Sequence, residues 1–179
     1  MDIGRSQKLF GIGPIGSVIS FGLLTIAVWM DRLFRNVAIL ENPSSIRVVG
    51  WGLVAIGLGL HFWSMWTLRH WWVEDQLCTI GPYRWFRHPM YAAWITFILP
   101  AIALLFNSWI ILFFVVLIHP IWHKLVIREE KIMFDKFQNE YRAYAERTGR
   151  FFPRIWNKLS TTEEKNPTSK SSGRLDSRH

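Results

Sequence analysis

Long apolar runs, separated by short polar punctuation, fill the first two thirds of the chain. Leu9 to Met30 is 22 residues without a charge, and Val48 to Leu68 is 21, interrupted only by His61. Pro89 to His123 is 35 residues without Asp, Glu, Lys or Arg. A bilayer core about 30 Å thick takes roughly 20 apolar residues per helix, so the first two runs each predict one span. The third would be roughly 52 Å long as a single helix at about 1.5 Å per residue. It is therefore predicted to be a hairpin of two helices that turns at Asn107-Ser108. Pro89 suits the first turn of the third helix, where its missing N–H costs nothing, and Pro100 predicts a kink deeper in. Asn42-Pro43-Ser44-Ser45 reads as a turn, with Ser44 or Ser45 capping the second span.

Beyond the fourth run the pattern turns amphipathic. Phe134, Phe137, Tyr141 and Tyr144 recur at helical spacing, with Lys136, Asn139, Glu140 and Arg142 between them. A helix over roughly 124–148 is predicted to fold back along the membrane surface. It stops at Thr148-Gly149, with Pro153 beyond. From Asn157 to His179 the only large apolar residues are Leu159 and Leu175, which predicts a disordered tail. The expected fold is an all-α integral membrane protein with about four transmembrane helices. The last two form a helical hairpin, followed by a C-terminal amphipathic cytosolic helix. The expected organisation is an N-terminal span and loop over 1–43, a membrane domain over 44–156 and a tail over 157–179.

Composition changes this picture little, but charge orients it. Half of the residues are hydrophobic, with 11 Trp and 13 Phe, and the net charge is +8. Four spans put the N-terminus, the 69–88 loop and the C-terminal region on one side, together with Arg5, Lys8, Arg69, Arg84 and Arg87. The other side holds Arg32, Arg35 and Arg47. The positive-inside rule then puts both termini in the cytoplasm, of a bacterial inner membrane or the endoplasmic reticulum. Trp63, Trp66, Trp71 and Trp72 form an aromatic belt at the cytoplasmic end of the second span. Met30-Asp31-Arg32 after the first run, without a small-residue cleavage site, reads as a retained span rather than a signal peptide. No recognition motif accompanies the positive charge, so nucleic acid is not an expected partner. The single Cys78 allows no intrachain disulfide.

Three stretches carry candidate chemistry. In "GPYRWFRHPMYAA", Gly81 to Ala93, one reading is an interface collar: Arg84 and Arg87 snorkel to headgroups while Tyr83, Trp85 and Phe86 sit at the interface. The other is a binding site. A helix N-terminus with open N–H donors suits a carboxylate, and His88 and Tyr91, three apart, share a helix face. In "REEKIMF", Arg128 to Phe134, Glu129 and Glu130 are either a solvated face or the source of one carboxylate aimed at an ammonium or at ribose hydroxyls. In "HPIWH", His119 and His123 stand at metal-ligand spacing, but no third ligand is evident, and buried or interfacial histidines are the simpler reading. No metal is expected.

Taken together, "GPYRWFRHPMY", a helical hairpin and "REEKIMFDKFQNEYRAYAERTGRFFP" resemble the isoprenylcysteine carboxyl methyltransferase family, with which phospholipid methyltransferases share the general pattern. The resemblance covers about residues 44–156. It implies S-adenosylmethionine as methyl donor, bound at the cytosolic face without a Rossmann fold, and no glycine-rich dinucleotide fingerprint is present. By motif position it implies a cofactor site of Leu77, Cys78, Tyr83, His88, Pro89, Met90, Tyr91, Glu129 and Glu130. It implies catalytic roles for His88, Glu129 and Arg128, and a lipophilic methyl acceptor such as an isoprenylcysteine carboxylate. Prenylcysteine enzymes place an Arg about one turn before the Glu pair, where this chain has Leu125. That departure leaves a phospholipid or other small lipophilic acceptor open. Two other classes stay open as well. Membrane sterol reductases that bind NADPH carry a related Arg-His-Pro-Asn-Tyr motif, in which Met90 here replaces Asn, and a non-catalytic membrane protein could keep the same fold.

Overall fold

The computed structural model describes residues 12–34, 37–71 and 76–154. The predicted tail over 157–179, together with Arg5, Lys8, Arg35 and Trp72, lies outside the described residues.

Helix α1, Gly13–Leu33, opens with a proline in its first turn. Helix α2, Ser44–Trp71, follows a turn in which the Asn42 carboxamide oxygen accepts from the Ser44 N–H at 3.2 Å. The polar side chain at this entrance is therefore Asn42, and Ser44 is already helical. A short 3₁₀ turn, Gly81–Arg84, leads to α3, Pro89–Leu105. Gly81 stands at φ +56, a left-handed conformation that a residue with a Cβ adopts only with strain.

Helix α3 is not uniform. Four α-helical residues give way to a π-helical segment, Ala93–Ile98, and then to α-helix again over Leu99–Leu105. The wide turn comes just before Pro100, whose ring nitrogen has no N–H to give to the preceding turn. The irregularity expected from Pro100 thus takes the form of a π segment on its N-terminal side.

The chain reverses where the apolar run predicted. Asn107 adopts φ +52, and the Ser108 hydroxyl accepts from the Ile111 N–H at 3.2 Å, capping α4, Trp109–Arg147. The Asn107 side chain also accepts from the N–H groups of Ile39 and Leu40 and donates to the Leu40 carbonyl. Buried Asp31, near the end of α1, accepts a hydrogen bond from Ser108. One turn thus ties together the far ends of three helices.

Helices α1, α2 and α4 are long and apolar enough to cross a membrane. Helix α3, at roughly 25 Å, is shorter than the hydrocarbon core. No separate helix begins at residue 124; α4 continues without interruption as far as Gln138, where φ +48 and ψ −120 break it. The chain folds back there rather than earlier. Arg87 shows this, because it pairs with Glu130 at 3.0 Å and donates to the Ala145 carbonyl at 3.1 Å. In an unbroken helix those positions would be roughly 22 Å apart. The arm beyond Gln138 packs Tyr141 and Tyr144 on Leu77, with Phe134 and Phe137 alongside.

Helix α1 packs on α4, α4 on α3, and α3 on α2. Alanines at the crossings, Ala27, Ala92 and Ala103, let the backbones approach, as small residues do between membrane helices. Gly16 does the same between α1 and α4: a Cβ there would lie 2.6 Å from the Trp122 ring. Trp122 fills that notch and donates its indole N–H to Ser20 at 2.9 Å. The outer faces carry Val18, Phe21, Trp29 and Val48, each more than half exposed. In water such a surface would aggregate; against acyl chains it is satisfied.

Candidate functional site

The entrance to α3 is held by the far end of the described chain. Backbone pairing joins the segment 85–88 to 149–150: Gly149 N–H to the Trp85 carbonyl at 3.3 Å, Arg87 N–H to the Gly149 carbonyl at 2.7 Å, and His88 N–H to the Arg150 carbonyl at 3.2 Å. The buried Tyr144 hydroxyl donates to the Tyr83 carbonyl at 2.7 Å and also reaches that of Phe86 at 3.2 Å. Burial raises the Tyr144 and Tyr83 pKa values, so both stay phenols at neutral pH. This latch fixes His88 as the residue that caps α3, with Pro89 buried in the first turn behind it.

Adjacent residues on α4 point about 100° apart, and the two carboxylates accordingly have different partners. Glu130 is held by guanidinium groups. Arg150 donates to both of its oxygens at 2.7–3.0 Å, and Arg87 Nε lies 3.0 Å from Oε1. Burial acts to raise the Glu130 pKa, but the contacts with His88 and Arg150 and the charge of Arg87 outweigh it and hold the carboxyl at about 2. The same pair raises the Arg150 pKa.

Glu129 is held by weaker donors. Its Oε1 accepts from the Tyr91 hydroxyl at 2.9 Å and from the Ile12 backbone N–H, at the start of α1, at 2.7 Å. His88 stands between the two carboxylates, with Nδ1 3.6 Å from Glu129 Oε2 and Nε2 3.8 Å from Glu130 Oε1. Both separations are beyond hydrogen-bond length, and His88 Nε2 is buried without a hydrogen-bond partner. Its ring lies nearly parallel to that of Tyr91, at 5.7 Å, and Tyr91 packs on Trp122 at 4.8 Å. The local result is a carboxylate, an imidazole and a phenol gathered at a helix N-terminus.

Other residues singled out from sequence are spread around this centre. Leu77 and Cys78 are buried. Leu77 packs on the tyrosines of the second arm of α4, and burial raises the Cys78 thiol pKa against a backbone hydrogen bond at Ile80. Met90 is half-buried one residue before Tyr91, and Arg128 is exposed on α4. Leu125, one turn before Glu129, is half-buried. His119 and His123, with ring centroids 5.8 Å apart, pack against Phe151. Among the described residues no three His, Cys, Asp or Glu side chains gather as metal ligands would.

Sequence reasoning gave no site role to Arg150 or Ile12, and it read Tyr144 only as part of the amphipathic pattern. Arg150 had one signal, a lone cation between Gly149 and the Phe151-Phe152-Pro153 stop, where a charge next to two aromatics calls for a partner. Ile12 acts through its backbone, and no side-chain pattern announces that.

Three comparisons bear on this arrangement. A family model described as phospholipid methyltransferase matches residues 45–140. Among solved structures, the eukaryotic intramembrane Ras methyltransferase, an isoprenylcysteine carboxyl methyltransferase, superposes with a TM-score of 0.55 at 20% sequence identity. The match covers 79% of this chain and 52% of that one, so this chain spans about half the length of that enzyme. At this identity the likeness concerns the fold. No curated protein matches the sequence significantly.

Proposed function

The chain belongs to the phospholipid methyltransferase family, and from that premise we propose that it transfers a methyl group from S-adenosylmethionine to a lipophilic acceptor at the cytoplasmic face of the membrane. The observation that carries this reading is the meeting of Glu129 with His88 and Tyr91 at the N-terminus of α3. The residues present fit the donor. Glu130 is neutralised by two guanidinium groups, whereas Glu129 is held by an amide, a phenol and an imidazole at 3.6 Å. Among the described residues Glu129 is therefore the carboxylate of the pair without a guanidinium partner, as contact with a sulfonium or ammonium group requires. The buried Nε2 of His88 offers a further polar contact without a protein partner.

When bound, S-adenosylmethionine supplies an electrophilic methyl group on a cationic sulfur. Glu129, His88, Pro89, Met90 and Tyr91 would hold it, with Tyr83, Leu77 and Cys78 behind them. The chain's own contribution is alignment and exclusion of water, which together account for much of the rate in such displacements. Arg87 and Arg150 keep Glu130 ionised and turned away from Glu129. An acceptor that is already ionised, such as an isoprenylcysteine carboxylate, needs no base. An amine acceptor must lose a proton, and His88, between two carboxylates, is placed to take it.

The second acceptor reading, a phospholipid headgroup amine, is favoured by Leu125. An aliphatic residue there provides no cation for an acceptor carboxylate. The test is product mass spectrometry after incubation with labelled S-adenosylmethionine and either a native lipid extract or a farnesylcysteine analogue. Donor binding is tested separately by calorimetry on His88→Ala and Glu129→Ala. Undiminished affinity in both folded variants would refute the site.

A further inference from the structure

The fold-back at Gln138 creates a second feature, whose lining includes Glu130 and Arg87 but not His88, Tyr91 or Glu129. The two arms of α4 enclose an open cleft of about 510 Å³. One wall is apolar, formed by Ile127 and Phe134 with Tyr141 and Ala145 opposite. The rim is basic, with Arg87, Lys131, Arg142 and Arg154. Two carboxylates, Glu130 and Glu146, face these four cations, and Glu130 already carries Arg150 as a bidentate partner. The Arg142 guanidinium lies over the Phe134 ring, 5.3 Å from its centroid, so a cation is held directly above the apolar wall. The cleft opens where the lipid-facing stretch of α4 ends. Ile127, Ile132 and Met133 remain exposed beside it.

We infer that this cleft binds the phosphate headgroup of an anionic membrane glycerophospholipid, with the start of its acyl chains along Ile127 and Phe134. Charge decides the headgroup class: a surplus of arginine and lysine around a concave surface suits a phosphate oxygen cluster. The apolar wall decides the source, because a free phosphate ion would gain nothing from Phe134 or Ile127, whereas an amphiphile buries its glycerol and first methylenes there. The site is separate from the proposed donor site. The Glu130–Arg87 pair, and Tyr141 packed on Leu77, stand between the two, so a lipid in the cleft bears on the Glu130–Arg87 pair and through Glu130 on His88.

The experiment uses the full chain in detergent, delipidated and titrated with phosphatidylglycerol or phosphatidylcholine, with bound lipid read by native mass spectrometry. Phosphatidylglycerol is expected to bind more tightly than phosphatidylcholine. Lys131→Gln with Arg142→Gln is expected to weaken it about tenfold. Lys124→Gln with Arg147→Gln, the same charge change outside the cleft, is expected to leave it unchanged. Arg154→Gln, an exposed single change, is expected to reduce binding in the same direction and guards against misfolding of the double variant. Equal retention of the two lipids would overturn the inference, as would equal loss in the cleft and control variants. Displacement of the lipid by millimolar inorganic phosphate alone would reassign the cleft to free anions and likewise overturn it. Calorimetry with S-adenosylmethionine on the cleft variants keeps this outcome apart from any failure of the donor site.

Discussion

Tyr91 donates its hydroxyl hydrogen to Glu129 across 2.9 Å, joining the first turn of α3 to the middle of α4. Tyr91→Phe removes that bond while leaving the ring against Trp122. A hydrogen bond to a charged group contributes about 1.5–3 kcal/mol, so S-adenosylmethionine affinity is expected to fall by about tenfold or more. Melting temperature should change little. Calorimetric titration decides it, and an unchanged dissociation constant would remove Tyr91 from the site.

Glu129 and Glu130 should separate by phenotype. Glu130→Gln leaves two guanidinium groups around a neutral amide at a half-buried position, at an expected cost of about 2 kcal/mol or more in stability. Glu129→Gln disturbs an amide, a phenol and a distant imidazole, so the fold should tolerate it while donor affinity falls. Thermal unfolding in detergent and donor calorimetry, run on both variants, would show the reverse pattern if the roles are exchanged.

The Glu130 pair also sets an acid limit. The carboxyl titrates at about 2 in the folded chain, against 4.5 for an unperturbed one. Because the folded value is the lower, the stabilisation is complete above about pH 5 and disappears as pH falls from 4.5 towards 2. The melting temperature of the parent chain should therefore drop more steeply between pH 6 and about pH 3 than that of Glu130→Gln. Parallel profiles would assign the acid sensitivity to other groups.

Two glycines on α1 give a packing test. Gly16→Ala puts a Cβ 2.6 Å from the Trp122 ring, whereas Gly22→Ala meets nothing within 4 Å. The first is expected to cost about 1–3 kcal/mol through overpacking, and to lower donor affinity because Trp122 supports Tyr91. The second should be neutral, or stabilising by up to about 1 kcal/mol from helix propensity. Melting temperatures of the two variants in the same detergent measure the contrast.

The parts of this architecture that depend on apolar length were readable from the chain. Uncharged runs forced the helices, and a run too long for one helix forced the turn at Asn107-Ser108. That turn in turn brings Glu129 back to the level of His88. What stayed hidden depends on backbone geometry. A π segment arises from hydrogen-bond register over Ala93–Ile98, which no residue pattern marks beyond Pro100. The break at Gln138 falls inside a continuous amphipathic pattern, because both arms bury the same aromatic face and the periodicity passes through it unchanged. The bounds of the third helix, Pro89–Leu105, were hidden too, since charge-free length does not reveal where a latched entrance and a π turn set its start and register.

The pairing of Phe86 with Gly149 has a consequence for the order of events in synthesis. The segment that carries His88 leaves the ribosome long before the residues that latch it, and chains are made from the N-terminus onward. Until Gly149 and Arg150 emerge, the His88 N–H lacks its backbone acceptor and Glu130 lacks its bidentate arginine. The spans can enter the bilayer in turn, but the constellation at the end that carries His88 closes only with one of the last described segments to be made. A nascent chain halted before Gly149 would be an inserted membrane protein with an open, unassembled site.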